Sequence, residues 1–219
     1  MLLAFDTSGP HCTAVLAKPD GSPVALRSEE IGRGHAEHLV GLVDEVLSEG
    51  RLDWHDIERV GCTTGPGSFT GLRVGLAAAQ GLTLALNKPG VGVSVFEVLA
   101  RACAERVKGE PFCIVQDARR EQVYVQAFDG AGRPMAAPSA HDLGALEKVF
   151  PVPVSKVAGT GANLVSERLA GLAVIDGPNH PLPQHLASAC MAAPATAGLK
   201  PLYLRAADAK PQKQMTMAP

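Results

Sequence analysis

Aromatic side chains are scarce in this sequence. They make up 4% of its 219 residues, so a core has to be built from Ala, Val and Leu. Basic runs are missing as well: formal net charge is −2 and no stretch of Lys or Arg stands out. A chain that grips nucleic-acid phosphates unaided carries a basic face, so strong direct nucleic-acid binding is not expected. CxxC pairs are absent. The five cysteines, Cys12, Cys62, Cys103, Cys113 and Cys190, are odd in number and scattered, which fits a reducing compartment and thiols used as small apolar fillers. No apolar run reads as a membrane span. The opening MLLAFDTSG lacks a basic segment and meets Asp6 at once, so it reads as a first strand and not as a signal peptide. The expected location is the cytoplasm.

What the chain does have is 46% hydrophobic residues, enough for one large domain or two small ones. The most informative stretch runs from Gly61 to Leu86. It ends a strand, breaks at Gly65-Pro66-Gly67, and becomes a helix that Ser68 or Thr70 can cap. From Leu72 to Leu86 the clearly polar residues are Arg73, Gln80 and Thr83. A helix apolar nearly all round must be covered on two sides. Gly71 and Gly75 lie one turn apart, followed by Ala78 and Ala79. Glycine inside a helix costs up to about 1 kcal/mol against alanine, so the pair implies close approach by another backbone. That backbone belongs either to the chain's own core or to a partner.

In chain order, Leu2–Phe5, Cys12–Ala17 and Val24–Ser28 read as a three-stranded antiparallel meander, with Asp6-Thr7-Ser8-Gly9 at its first turn. A helix follows over His35–Ser48, with Leu39, Leu42, Val43, Val46 and Leu47 on one stripe. After the glycine turn and the second helix come a strand at Val91–Val93 and a third helix from the Ser94 cap to about Lys108. Phe112–Gln116 is again a strand ending in an acid, Asp117, and Gln122–Phe128 is its hairpin mate. This repetition predicts an internal duplication. Later come a strand at Lys156–Ala158, the turn Gly159-Thr160-Gly161, a helix near 163–169, a short strand at Val174–Ile175 and a helix at His185–Ala192. The expected division is a first lobe over 1–109, a second over 110–205 and a mobile tail over 206–219.

Several constellations stop short of a chemical step. Glycines before a helix N-terminus make a ready anion site, but Gly65, Gly67 and Gly71 match neither a P-loop nor GxGxxG. Tight backbone packing is the equal alternative. His35 and His38 share a helix face without HExxH or PCxxC, and two ligands make no structural zinc site. Asp6 and Asp117 stand where an acid holds hydrated Mg²⁺ beside a nucleotide, or merely caps a turn.

Taken together, LLAFDTSGPHCTAVLA, RGHAEHLVGLVDEVL, TTGPGSFTGLRVGLAAAQGLTLAL with GVSVFEVLA, QDARREQVYVQAF and PLYLR resemble the TsaB (YeaZ) family from Met1 to about Arg205. GPGSFTGLRVG is the most specific of these. The resemblance implies an α/β, duplicated actin/hexokinase/Hsp70-like fold of two similar lobes. It implies a non-catalytic scaffold in threonylcarbamoylation of tRNA adenosine 37, pairing with the transferase TsaD and the ATPase TsaE, and with itself when alone. TsaD carries two metal-binding histidines four apart. His35 and His38 are three apart, a departure that argues against transferase or metallopeptidase activity here. The chain itself is expected to need no cofactor or metal, with ATP and Mg²⁺ placed at the joint with TsaD and TsaE.

The resemblance also implies degenerate nucleotide loops at Asp6, Thr7, Ser8, Gly65, Gly67, Ser68, Gly159 and Gly161. It implies a partner interface of the first two helices through His35, His38, Leu39, Leu42, Val43, Val46, Gly71, Leu72, Gly75, Leu76 and Ala79. On that assignment, Gly75→Leu or Leu76→Glu prevents association and leaves the monomer folded. A second function class stays open: an ATP- and Mg²⁺-dependent enzyme of the same fold, using Asp6 and the Gly65–Gly67 turn.

Overall fold

The computed structural model describes residues 1–150, 154–194 and 198–205, apart from the side chains of Lys148 and Val149. The tail predicted over 206–219 lies outside the described residues. Five strands form the first sheet: β1 (Leu2–Asp6), β2 (His11–Ala17), β3 (Pro23–Glu30), β4 (Arg59–Thr63) and β5 (Gly90–Val93), in the order β3-β2-β1-β4-β5. The meander β1-β2-β3 is antiparallel, and β1-β4-β5 is parallel. Central β1 is buried along its whole length. Because side chains alternate across a strand, Leu3 and Phe5 face one apolar layer with Leu39, Val43 and Leu76. Leu2 and Ala4 face another, with Leu186 and Cys190. A strand covered on both faces reads as a continuous apolar run, as LLAF does.

The second sheet repeats the first. It holds β6 (Gly109–Arg119), β7 (Gln122–Gly130), β8 (Ser139–Asp142), β9 (Lys156–Ala158) and β10 (Ala173–Val174) in the order β8-β7-β6-β9-β10. Pairings β6-β7 and β7-β8 are antiparallel, while β6-β9 and β9-β10 are parallel. Strand for strand this is the plan of the first sheet, so the chain is the duplicated two-lobe fold that the resemblance implied. Strand β8 carried no signal in the sequence. Its SAHD side chains lie partly open to solvent, so they lack the alternation by which a strand is read.

The helices depart from the repeat. Between β3 and β4 lies α1 (His35–Gly50), and between β4 and β5 lies α2 (Phe69–Leu86). Their counterparts in the second lobe are α4 (Leu146–Val149) and α5 (Ala162–Ser166), each about one turn. The last helix of each half, α3 (Val95–Ala104) and α6 (Pro183–Ala192), crosses to the other half. Phe96, Leu99 and Ala100 of α3 pack with Phe112, Ile114 and Phe128 of the second sheet, while Leu186 and Ala187 of α6 pack with Leu2, Ala4 and Val91 of the first. A single cut at 109/110 falls one residue inside β6 and leaves each of these helices packed on the sheet of the other half. Helix α3 also ends at Ala104, short of the predicted Lys108, whose backbone is left-handed at φ 54°. Residues 198–205 cross back as well. Leu202 N–H donates to Thr64 O of the first lobe at 2.8 Å, and Leu204 packs into the second lobe's apolar layer.

Candidate partner interface and strand-end loops

Helix α1 starts after Gly34, whose φ of 87° suits glycine. It buries His35, Leu39, Leu42, Val43, Val46 and Leu47. Helix α2 is capped by Ser68, whose Oγ accepts from Gly71 N–H at 3.3 Å, and buries Gly71, Leu72, Gly75, Leu76 and Ala79. The two glycines answer to the chain's own Thr7, Gly71 to its backbone and Gly75 to its side chain. A Cβ on Gly71 would stand 2.0 Å from Thr7 O, and one on Gly75 2.5 Å from Thr7 Oγ1. Thr7 Oγ1 donates to Gly71 O at 2.7 Å, closing that contact.

The residue assignment of the interface therefore needs correction. His35, Leu39, Leu42, Val43, Val46, Gly71, Leu72, Gly75, Leu76 and Ala79 all turn into the first lobe, and of the predicted residues His38 alone is exposed. The stripe chosen for its apolarity is the stripe a helix lays on its own sheet. Gly75→Leu and Leu76→Glu consequently probe folding, not association. The open face consists of other residues: Glu37, Val40, Gly41 and Asp44 on α1, and Phe69, Arg73, Ala77, Gly81 and Leu84 on α2. Val40 is 65% exposed and Leu84 85%. With 18 residues and a mean hydropathy of 1.3, α2 is, against expectation, long and apolar enough to cross a membrane. Its glycine face is nevertheless held on Thr7, as part of the helical layer of the first sheet.

At the N-terminus of α2 the strand-end loop is closed upon itself. Asp6 is 1% exposed; its Oδ1 accepts from Ser8 N–H at 3.1 Å and from the Thr63 hydroxyl, while Oδ2 has no partner among the described residues. Burial raises the pKa of this carboxyl above the ordinary value, against the lowering effect of hydrogen bonds from Ser8 and Thr63. Ser68 N–H donates to Ser8 O at 2.7 Å, and a Cβ on Gly67 would meet that oxygen at 2.3 Å. Gly65 has φ 113° and precedes a cis proline, Pro66. Thr7, Ser8 and Ser68 thus spend polar atoms on one another and on the α2 backbone. These contacts take up the Thr7 and Ser68 side chains and the Ser8 carbonyl. Close packing accounts for Gly67 and Gly71 without a ligand.

The second lobe builds a matching loop. Gly161 N–H donates to Val115 O at 3.0 Å, and a Cβ on Gly159 would sit 2.4 Å from the same oxygen. Thr160 Oγ1 accepts from Asp117 N–H at 2.9 Å and donates to Gln116 Oε1 at 3.0 Å. Asp117, unlike Asp6, reaches the surface and pairs with Arg119 at 3.3 Å.

His35 Nε2 lies 3.3 Å from His11 O, whereas His38 is exposed. Among the described residues no group of three or more His, Cys, Asp or Glu could hold a metal. Sequence reasoning missed two clusters whose members are far apart in the chain. His11 and His180 stack at 3.6 Å between ring centroids, and burial lowers the pKa of His180, with His11 adding to the effect. Phe69 and Tyr203 lie 5.6 Å apart, with the Arg73 guanidinium 3.7 Å above the Phe69 ring. Scarcity of aromatics was the one available signal for the second cluster.

Comparison with known proteins agrees with this architecture. Residues 28–173 match the family described as TsaD, tRNA N6-adenosine threonylcarbamoyltransferase. An uncharacterized protein of Mycobacterium tuberculosis is 34% identical over 96% of this chain and 94% of its own length. The tRNA threonylcarbamoyladenosine biosynthesis protein TsaB of Haemophilus influenzae is 33% identical, over 56% of this chain and 51% of that protein. The solved structure of YeaZ from Pseudomonas aeruginosa superposes with a TM-score of 0.78 at 27% identity, covering 93% of this chain and 99% of that one. The chain belongs to the TsaD family of tRNA N6-adenosine threonylcarbamoyltransferases, in its TsaB (YeaZ) branch.

Proposed function

We propose that this chain is a non-catalytic scaffold subunit of tRNA threonylcarbamoyladenosine biosynthesis in the cytoplasm, pairing with TsaD through the open face of α1 and α2. The observation that carries the reading is the face itself. An 18-residue helix of mean hydropathy 1.3 leaves Leu84 and its neighbours uncovered, at an energetic cost that a partner's apolar surface would remove. A stable interface needs roughly 800 Å² per partner, a surface that two adjacent helices can supply. TsaE joins that pair, ATP and Mg²⁺ sit at the joint, and this chain requires no cofactor of its own. Alone, the chain pairs with itself, and it binds tRNA weakly. The closed loop around Asp6 and Ser68 supports the absence of a chemical step.

Light scattering on size-exclusion fractions of the chain, alone and with TsaD of the same organism, tests the proposal. The native chain forms a homodimer that yields to a one-to-one heterodimer. Leu84→Glu, at a solvent position, keeps its fold and loses both. A folded Leu84→Glu that still associates with native affinity would refute the α2 face. One observation favours the enzyme reading: the unpartnered Oδ2 of Asp6. ATP turnover by the purified chain, abolished by Asp6→Ala, would establish it.

A further inference from the structure

Where α2 begins, three side chains from two distant segments gather at the surface. Phe69 is 47% exposed and Tyr203 49%, and the guanidinium of Arg73 lies over the Phe69 ring. Arg73 is the one charged residue of α2, and among the described residues it has no ion-pair partner. Tyr203 is held from both sides: Leu202 N–H is bonded to Thr64 O, and Arg205 Nη1 donates to Gln122 Oε1 at 3.1 Å. The segment that carries Tyr203 is thus tied to both lobes. Rigid aromatics and an arginine are the residue types that dominate binding energy at interfaces, because little conformational freedom is lost on contact. A guanidinium stacked by one face on a ring keeps its N–H edge for a planar, two-oxygen acceptor. The rest of the open α2 face, at Ala77, Gly81 and Leu84, offers no charge.

We propose that Arg73, Phe69 and Tyr203 form the polar anchor of the α2 docking surface, and that the partner protein sets a carboxylate against Arg73 beside its apolar strip. This rests on the α2 reading above and adds to it the chemistry of the partner. A protein is favoured over RNA because a phosphate backbone calls for several cations, and this face has one.

The test is the affinity of the full chain for TsaD as a function of salt, with melting curves to confirm that each variant is folded. Arg73→Glu is expected to weaken association at least tenfold. Arg73→Lys should lie between it and the native chain, since a single ammonium cannot make the paired contact. Arg73→Gln should flatten the salt dependence, which loss of packing alone would not do. If Arg73→Glu binds TsaD like the native chain while Leu84→Glu does not, the anchor is wrong and the α2 face stands. If neither change matters, both readings fall. Loss of tRNA binding by Arg73→Glu with unchanged TsaD affinity would likewise overturn the anchor, in favour of a nucleic-acid contact.

Discussion

The two halves of this chain lay down the same five strands in the same order and directions, yet they clothe them differently. The first half covers one face of its sheet with helices of 16 and 18 residues. The second spends four and five residues at the equivalent places. What the halves share is the sheet and the glycine turn that follows the first parallel crossover, at Gly65–Gly67 and at Gly159–Gly161. Both turns press on the half's first strand or the loop that follows it: a methyl group on Gly67 would strike Ser8 O, and one on Gly159 Val115 O. The lesson is that sheet and turn carry the fold, while helix length decides which lobe has surface to offer a partner. A one-turn helix cannot present a stripe. Helix α2 has one for its own sheet and one to spare.

Exchange of α3 and α6 between the halves is the sharpest point at which this comparison can be broken. Leu186→Ala is expected to cost about 2–5 kcal/mol, as large-to-small changes in a close-packed core do. The loss of amide hydrogen-exchange protection should fall on β1 and β5 of the first sheet, although Leu186 belongs to the second half. Leu99→Ala should cost a similar amount and loosen β6 and β7. Protection lost within each residue's own half would contradict the exchange.

Next in size is the paired glycine contact. Gly67→Ala and Gly159→Ala are expected to destabilise by about 1–3 kcal/mol each in urea unfolding, since each new methyl group would meet a carbonyl oxygen of the opposing backbone. Gly159 is also left-handed at φ 101°, so its substitution should cost at least as much. Unequal effects, with one near zero, would mean that only one half still uses the device.

The smallest effect separates the two strand-end acids. The pKa of Asp6 is raised by burial, so the folded state favours its protonated form. The stability linked to that proton is complete below the ordinary value of 3.8 and is lost as pH rises through the raised folded value. Asp6→Asn, which keeps an acceptor for Ser8 and Thr63 and cannot ionise, should gain on the native chain as pH rises, with no further gain above the folded pKa. Asp117→Asn removes a surface ion pair and should change stability by less than about 0.5 kcal/mol. Denaturation midpoints of both variants between pH 3 and pH 8 check this. A native chain that gains on Asp6→Asn with rising pH would show that Asp6 is held as a carboxylate, as the enzyme reading requires.

Local pattern made much of this protein legible. The apolar run Leu2–Phe5, the stripe from Leu39 to Leu47, the Ser68 and Ser94 caps and the repeated strand–acid–hairpin opening all follow from side-chain periodicity and capping chemistry, which act between residues a few positions apart. The same local rules marked α2 as apolar on two faces. They could not say which face meets the chain's own sheet, because leucine and glycine serve either purpose. Tertiary structure settled that through Thr7, which fills the space above Gly71 and Gly75 and turns Leu84 outward. The crossing of α3 and α6, the pairing of partly exposed β8, the His11–His180 stack and the gathering of Phe69, Arg73 and Tyr203 were likewise decided only there. Each joins residues far apart in the chain, and burying their surfaces together is a property of the packed whole that no stretch of sequence carries alone.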